Sequence, residues 1–298
     1  MRSDDTSSAF HATPSFRAGA GTSDARGTGW TIERRYGDPG SLHAGWPWAG
    51  CSLIERRAAV CHVRSPALVI GSTQAIESVD LGRARACNVE VVRRKTGGGA
   101  VKVAPGRQVW LDAWVPRSDP LWRDDVVEAA AWLGHLWAGA LAALGLGRAG
   151  DIEVHRGGLV RTKWSAVVCF AGIGPGEVVV GGRKVVGVAQ RRNRYGAWFH
   201  SAAPTVWDPG EVTSLLNMTG SQRAEANEEM ATMAVGLGDV LVKTNETRSC
   251  TGQPEEGQPE SRVEVRSEGR AEGRPEPEQE REVARATENV LASMLGGT

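Results

Sequence analysis

Between Cys169 and Arg192 a cysteine, a glycine pair and a lysine follow one another closely: Cys-Phe-Ala-Gly-Ile-Gly-Pro-Gly-Glu-Val-Val-Val-Gly-Gly-Arg-Lys-Val-Val-Gly-Val-Ala-Gln-Arg-Arg. Cysteine and lysine are both side chains that can bind or carry an activated acyl group. The β-rich runs Glu177–Val180 and Lys184–Gln190 flank Gly181-Gly182, a pair suited to the positive φ angles of a two-residue hairpin turn. Cys169 precedes this hairpin and Lys184 follows its turn. Gly187, further along the second strand, leaves room for a ligand or a backbone to approach.

A second stretch with chemical content is Arg93-Arg94-Lys95-Thr96-Gly97-Gly98-Gly99-Ala100-Val101. Three consecutive glycines after a strand cannot pack side chains. Their use is backbone approach, with N–H groups open to a carboxylate or phosphate. The adjoining arginines add forked cationic donors. The glycine–lysine–hydroxyl ending of a P-loop is missing, as is the GxGxxG spacing. Taken alone, the stretch equally fits an ordinary loop with solvated arginines.

The elements that must position these residues read as interleaved strands and helices. Ala58–Arg64, Ala67–Gly71, Val89–Val92, Asp151–Val154, Ser165–Phe170 and Gly196–Ala202 are β-like. Val109–Val115 alternates, with Val109, Leu111, Ala113 and Val115 on one face and Trp110, Asp112 and Trp114 on the other. Asp125–Leu144 is the clearest helix. Val126, Ala130, Leu133, Trp137, Ala140 and Leu144 recur on one stripe, Asp125 and Glu128 can form a capping box, and Gly145 suits the C-terminal cap. His135 on that helix reads as structural. Shorter helices are expected over Ile76–Ala86, Glu211–Leu216 and Ser221–Val235.

Composition bounds the rest. The 298 residues can bury a substantial core, and a net charge of zero gives no whole-chain signal for nucleic acid or an anionic membrane. The five cysteines, Cys51, Cys61, Cys87, Cys169 and Cys250, are odd in number with no CxxC pair, so neither zinc nor a disulfide framework is expected. A reducing cytoplasm is the simplest setting. No long apolar run suggests a membrane span, and no signal peptide is apparent. Residues 1–28 read as a flexible leader, 29–240 as the folded domain, and 241–298 as a disordered charged tail with a short helix at its end over Glu282–Leu295.

Three motifs stand in order: Val69-Ile70-Gly71-Ser72-Thr73-Gln74, then the Arg-Arg-Lys-Thr-Gly-Gly-Gly-Ala-Val stretch, then Gly182-Arg183-Lys184-Val185-Val186-Gly187-Val188-Ala189-Gln190. Together they resemble the biotin/lipoate protein ligase superfamily over roughly residues 45–220, and more narrowly the lipoate–protein ligases and cysteine-dependent octanoyltransferases. The Arg-Arg-Lys-Thr lead-in is of the lipoate rather than the biotin style. The resemblance implies a mixed α/β (α+β) fold with a sheet carrying an acyl pocket. It implies that Cys169 and Lys184 are catalytic. It also implies that Arg93, Arg94, Gly97, Gly98, Gly99, Ala100 and Gly187 bind substrate, with Lys184 meeting the acyl carbonyl or a phosphate oxygen.

Cys169-Phe170, followed by Pro175 and Glu177, is similar to the octanoyltransferase arrangement, whereas ligases often carry Asn-Asp where Gly176-Glu177 stands. The transferase reading implies a Cys169 thioester formed from octanoyl–acyl carrier protein, a lipoyl-domain lysine as acceptor, and no cofactor. The ligase reading implies lipoate or octanoate, ATP, Mg²⁺ and a lipoyl-adenylate. A third reading is a non-catalytic relative that binds an acyl group or a partner. His200 lacks the glycine that follows the corresponding histidine in much of the superfamily, so the resemblance assigns it no role.

Overall fold

The structure, a computed structural model, describes residues 29–44, 53–147, 150–240 and 277–296. The expected leader 1–28, Cys51, Cys250 and the segment 241–276 lie outside the described residues.

Period-two alternation builds the main sheet. Seven strands run in the order β1 (Trp30–Gly37), β2 (Arg56–Val63), β6 (Gln108–Pro116), β10 (Gly196–Pro204), β9 (Arg183–Arg192), β8 (Val178–Val180) and β7 (Ile152–Val154). Only β1 and β2 are parallel; every other neighbouring pair in this sheet is antiparallel. A smaller sheet has β3 (Ala67–Ile70) between β4 (Glu90–Arg93), parallel to it, and β5 (Val101–Val103), antiparallel. The mixed α/β class is therefore the one observed. At the β8–β9 turn Gly181 and Gly182 have φ of +55° and +75°, as a two-residue hairpin turn requires.

Helix α3 (Val126–Ala143) buries Ala130, Leu133, Trp137 and Ala140 against one face of the sheet. Asp125 caps it by accepting from the amides of Val127 and Glu128, and Gly145 ends it at φ +68°. By length and composition α3 is apolar enough to cross a bilayer, contrary to the expectation that no such stretch exists; it lies against the sheet as a core helix. His135 is exposed and meets Arg156, so it is not a core residue.

On the far side of the small sheet lie α2 (Leu81–Ala86), α4 (Pro209–Thr213) and α5 (Gly220–Met233), which bury Ala84, Val212, Leu215, Leu216, Ala226 and Met230. Between the two sheets, near α1 (Pro39–His43), sits a third cluster that includes Val69, Val103, Trp110, Trp114 and Trp198.

Two expectations need correction. Within 241–298, where a disordered tail was expected, lies a helix longer than the one expected, α6 (Pro277–Gly296), whose Val283, Ala284, Leu291 and Leu295 join the α3 core. Glu280 on α6 is buried and bonds Arg107 at 2.7 Å, so charged composition did not preclude docking. The expected strand Ser165–Phe170 is instead a turn leading into one 3-10 turn, Cys169–Ala171. Only Val168 and Phe170 of the run are buried, Ala166 is exposed, and its one bridge is between Val168 and Ala100.

Candidate active site

Cys169 opens the 3-10 turn, tied to the triple-glycine loop by its amide, which donates to the Ala100 carbonyl at 3.0 Å. Its half-buried thiol belongs to the wall of a cavity of about 510 Å³. Apolar lining comes from Val69, Val101, Val103, Phe170, Val188 and Ala189. The polar groups on the wall include Arg94, Thr96, His43 and His200. An apolar cleft with a few convergent polar groups is the usual form of a small-molecule site. A second cavity of about 570 Å³ shares Val101, Val103, Phe170 and Ala202 with it and includes Lys102 and Arg107.

Of the other cysteines, Cys61 is buried in β2, where desolvation pushes its thiol well above the ordinary range, and Cys87 is exposed. Neither lines the cavity of Cys169.

Lys184 is only 1% exposed. Its Nζ donates to the carbonyl oxygens of Cys169 (3.0 Å) and Gly172 (3.1 Å) and pairs with Glu177 Oε2 at 2.7 Å. An ammonium has three N–H groups, and all three are taken. Lys184 therefore braces the turn that carries Cys169, where the resemblance had it meeting an acyl carbonyl or phosphate. Glu177 is equally committed, since its carboxylate also accepts from the amides of Gly174 (2.6 Å) and Val188 (3.2 Å).

Both arginines also serve the chain itself. Arg94 is buried and donates to the carbonyls of Val69, Gly97 and Gly99. Arg93 donates to those of Gly71, Ser72 and Gln74. Gly97, Gly98 and Gly99 are not among the residues on the wall of this cavity, but a Cβ on Gly98 would stand 4.0 Å from Cys169 Sγ. A Cβ on Gly99 would stand 2.5 Å from the Val168 nitrogen, and one on Gly71 would stand 1.8 Å from the Gly98 oxygen. The bare backbone lets two loops and the Cys169 turn close on one another. Ala100 borders the second cavity. Gly187 does line the first, and a Cβ there would meet only Lys184 Cε and the Phe170 ring, at 3.6 Å.

What the motifs did not disclose is a buried polar pair on the cavity face of the main sheet. Asp112 on β6 stands directly opposite His200 on β10. Its carboxylate is fully buried and accepts from His200 Nδ1 (2.6 Å), Trp110 Nε1 (2.6 Å) and Trp198 Nε1 (3.1 Å). His43 stacks on Trp110 with ring centroids 4.5 Å apart. Burial, then the nearby His200 and Arg94, hold the His43 imidazole well below its ordinary range, so it is neutral at pH 7. The only sequence signal for the pair was an aspartate inside an otherwise apolar alternating strand.

These features define a mixed α/β domain with a thiol on the wall of an apolar cleft. The chain belongs to the lipoyl protein ligase A/B catalytic domain family, which matches residues 55–241. It is similar to the octanoyltransferase LipM of Exiguobacterium sp. (strain ATCC BAA-1283 / AT1b), with 28% identity over 179 residues, 59% of this chain and 63% of that protein. The chain thus spans less than two thirds of that relative's length. Among solved structures it is similar to a lipoate-protein ligase A bound with ATP (16% identity, TM-score 0.45, 82% of this chain and 84% of that one). It is also similar to the bi-partite lipoate protein ligase of Thermoplasma acidophilum described with its E2 lipoyl domain (15% identity, TM-score 0.48, 86% and 91%). Among the described residues no group of three or more His, Cys, Asp or Glu side chains forms a metal-ligand set.

Proposed function

We propose that this protein is a cysteine-dependent acyltransferase that moves an octanoyl or lipoyl group onto a lysine of a lipoyl-domain protein. The observation that carries this reading is the Cys169 thiol on the wall of an apolar cleft, while the nearby cations Lys184, Arg93 and Arg94 hydrogen-bond the chain's own carbonyls. An alkyl chain suits Val69, Val101, Val103 and Val188. Cys169 would attack a thioester donor such as octanoyl–acyl carrier protein, hold the acyl group as its own thioester, and release it to the acceptor amine. The donor is already activated, so no ATP is required. The octanoyltransferase named above supports the same choice.

The second reading is an ATP-dependent ligase, favoured by the ATP-bound relative. It would need Lys184 or an arginine to leave its present carbonyl partners and meet phosphate, and Mg²⁺ would arrive with the nucleotide.

Intact-mass spectrometry after incubation with octanoyl–acyl carrier protein, without ATP, separates the two. An added octanoyl mass, removed by hydroxylamine and absent in Cys169→Ala, is the expected result. No adduct, with modification of a lipoyl domain only when lipoate, ATP and Mg²⁺ are supplied, would replace the transferase by the ligase. Failure of both reactions would leave the non-catalytic binding reading.

A further inference from the structure

His200 carries a nitrogen without a partner among the described residues. Its Nδ1 is held by Asp112 at 2.6 Å, but Nε2 is buried and has no hydrogen-bond partner among the described residues. A buried polar atom left unpaired is destabilising, so its persistence asks for a use. His200 lines the same cavity as Cys169. The surrounding framework is stiff: Asp112 is fully buried, its second oxygen is bonded to Trp198, and the indole of Trp198 lies 4.0 Å from the His200 ring.

This arrangement fixes the tautomer. A carboxylate only accepts, so Nδ1 must carry the hydrogen that lies between it and Asp112. Nε2 then bears the lone pair. A neutral imidazole oriented by a buried carboxylate, its second nitrogen unpartnered among the described residues and its residue on the wall of a cavity that Cys169 also lines, follows the logic of a nucleophile–base–orienter triad. His43, the other imidazole on the cavity wall, stacks on Trp110 and has no carboxylate partner in that framework.

We infer that His200 is the proton-transfer residue of the acyl-transfer reaction and Asp112 its positioning residue; the inference rests on the Cys169 reading above. As Cys169 Sγ attacks the donor thioester, the new Sγ–C bond forms and the donor C–S bond breaks. The thiol proton moves to Nε2 and on to the leaving sulfur. In the second half the acceptor amine forms the C–N bond, the Sγ–C bond breaks, and the amine proton passes through Nε2 to Sγ. No other reactant is needed.

The groups around His200 decide how this is tested. Asp112 faces it from β6 and His43 from α1, and Arg94 and Cys169 share its cavity. His200→Gln and Asp112→Asn are compared with the wild type by timed intact-mass acylation of the full chain by octanoyl–acyl carrier protein. Asparagine can donate to Nδ1 and so favours the wrong tautomer. General acid–base residues contribute roughly 10²–10⁴-fold, so acylation by either variant slows by at least about 100-fold. The double variant is no slower than the worse single one. The deficit shrinks above about pH 9, where hydroxide in solution can take the thiol proton in place of the imidazole. A merely structural lesion would not be repaired by pH. Rates within threefold of wild type in both variants, or a deficit that persists unchanged above pH 9, would overturn the inference while leaving the Cys169 thioester intact. Absence of any adduct on the wild type is the separate failure of the transferase reading.

Discussion

The two faces of the β6–β10 pair are built from the same strands and serve opposite ends. Toward α3 the pair presents Leu111, Ala113, Val115, Ala197 and Phe199, and one polar contact, from Trp137 Nε1 to Ser201 Oγ at 2.9 Å. Toward the small sheet it presents Trp110, Asp112, Trp114, Trp198 and His200. The first face is ordinary hydrophobic packing. The second buries a carboxylate, one imidazole and three indoles beside a cavity. Alternation at period two keeps these environments apart along a single strand. A site can therefore be polar at its centre without weakening the core one residue away.

Substitutions on the two faces should separate activity from stability. The largest effect expected is complete loss of the acyl adduct and of transfer in Cys169→Ala, with the unfolding midpoint nearly unchanged, read by intact mass and calorimetry on one preparation. On the other face, Trp137→Ala removes a fully buried indole and should cost about 3–5 kcal/mol in denaturant unfolding, while any folded fraction still acylates. Acylation lost in proportion to something other than the folded fraction would break the comparison.

Glu177→Ala joins the two. It leaves the Lys184 ammonium buried without its counter-ion, for which about 3–5 kcal/mol is usual. Pairing it with Lys184→Met should recover part of that loss in a double-mutant cycle, and full additivity would show that the ion pair is not coupled.

The smallest effect is on pH. In the folded chain the His43 imidazole is held below its ordinary value of 6.5, first by burial. Below pH 6.5 the unfolded chain thus binds a proton that the folded chain refuses. Stability is present in full above that value and is lost as pH falls. His62 shifts in the same direction, also through burial. Thermal unfolding between pH 7.5 and about 5 should show this slope. His43→Phe, which keeps a ring against Trp110, should flatten it, and an unchanged slope would shift the cause elsewhere.

Much of this arrangement was legible before the structure. The alternation of β6, the stripe and caps of α3, and the glycine hairpin each obey a local rule, and local rules survive folding. The strand β1 was not legible. Its outer position in the sheet order admits Glu33, Arg34 and Arg35, which hide the period. The Cys169 turn was misread because a short run of apolar residues reads alike in a strand and in a tight turn. Asp112 and His200 stand 88 residues apart, and only the β6–β10 register makes them partners. The motifs located Lys184 and the arginines. They could not show that these cations spend themselves on neighbouring carbonyls, because hydrogen-bond partners are a property of the folded chain.

The glycine contacts limit how such a protein can change. At positions 71 and 99 there is no space for even a methyl group, because the obstacle is backbone. The loop junction behind the Cys169 turn is closed to gradual variation; any residue larger than glycine must move a loop. Val69, Val101, Val103 and Val188 are different, since each can be exchanged one methyl at a time. A lineage of these chains adapting to longer or shorter guests would accumulate its differences on the valine side and keep the glycine side frozen. Sequence drift in the cleft is thus predicted to be lopsided, for reasons of space alone.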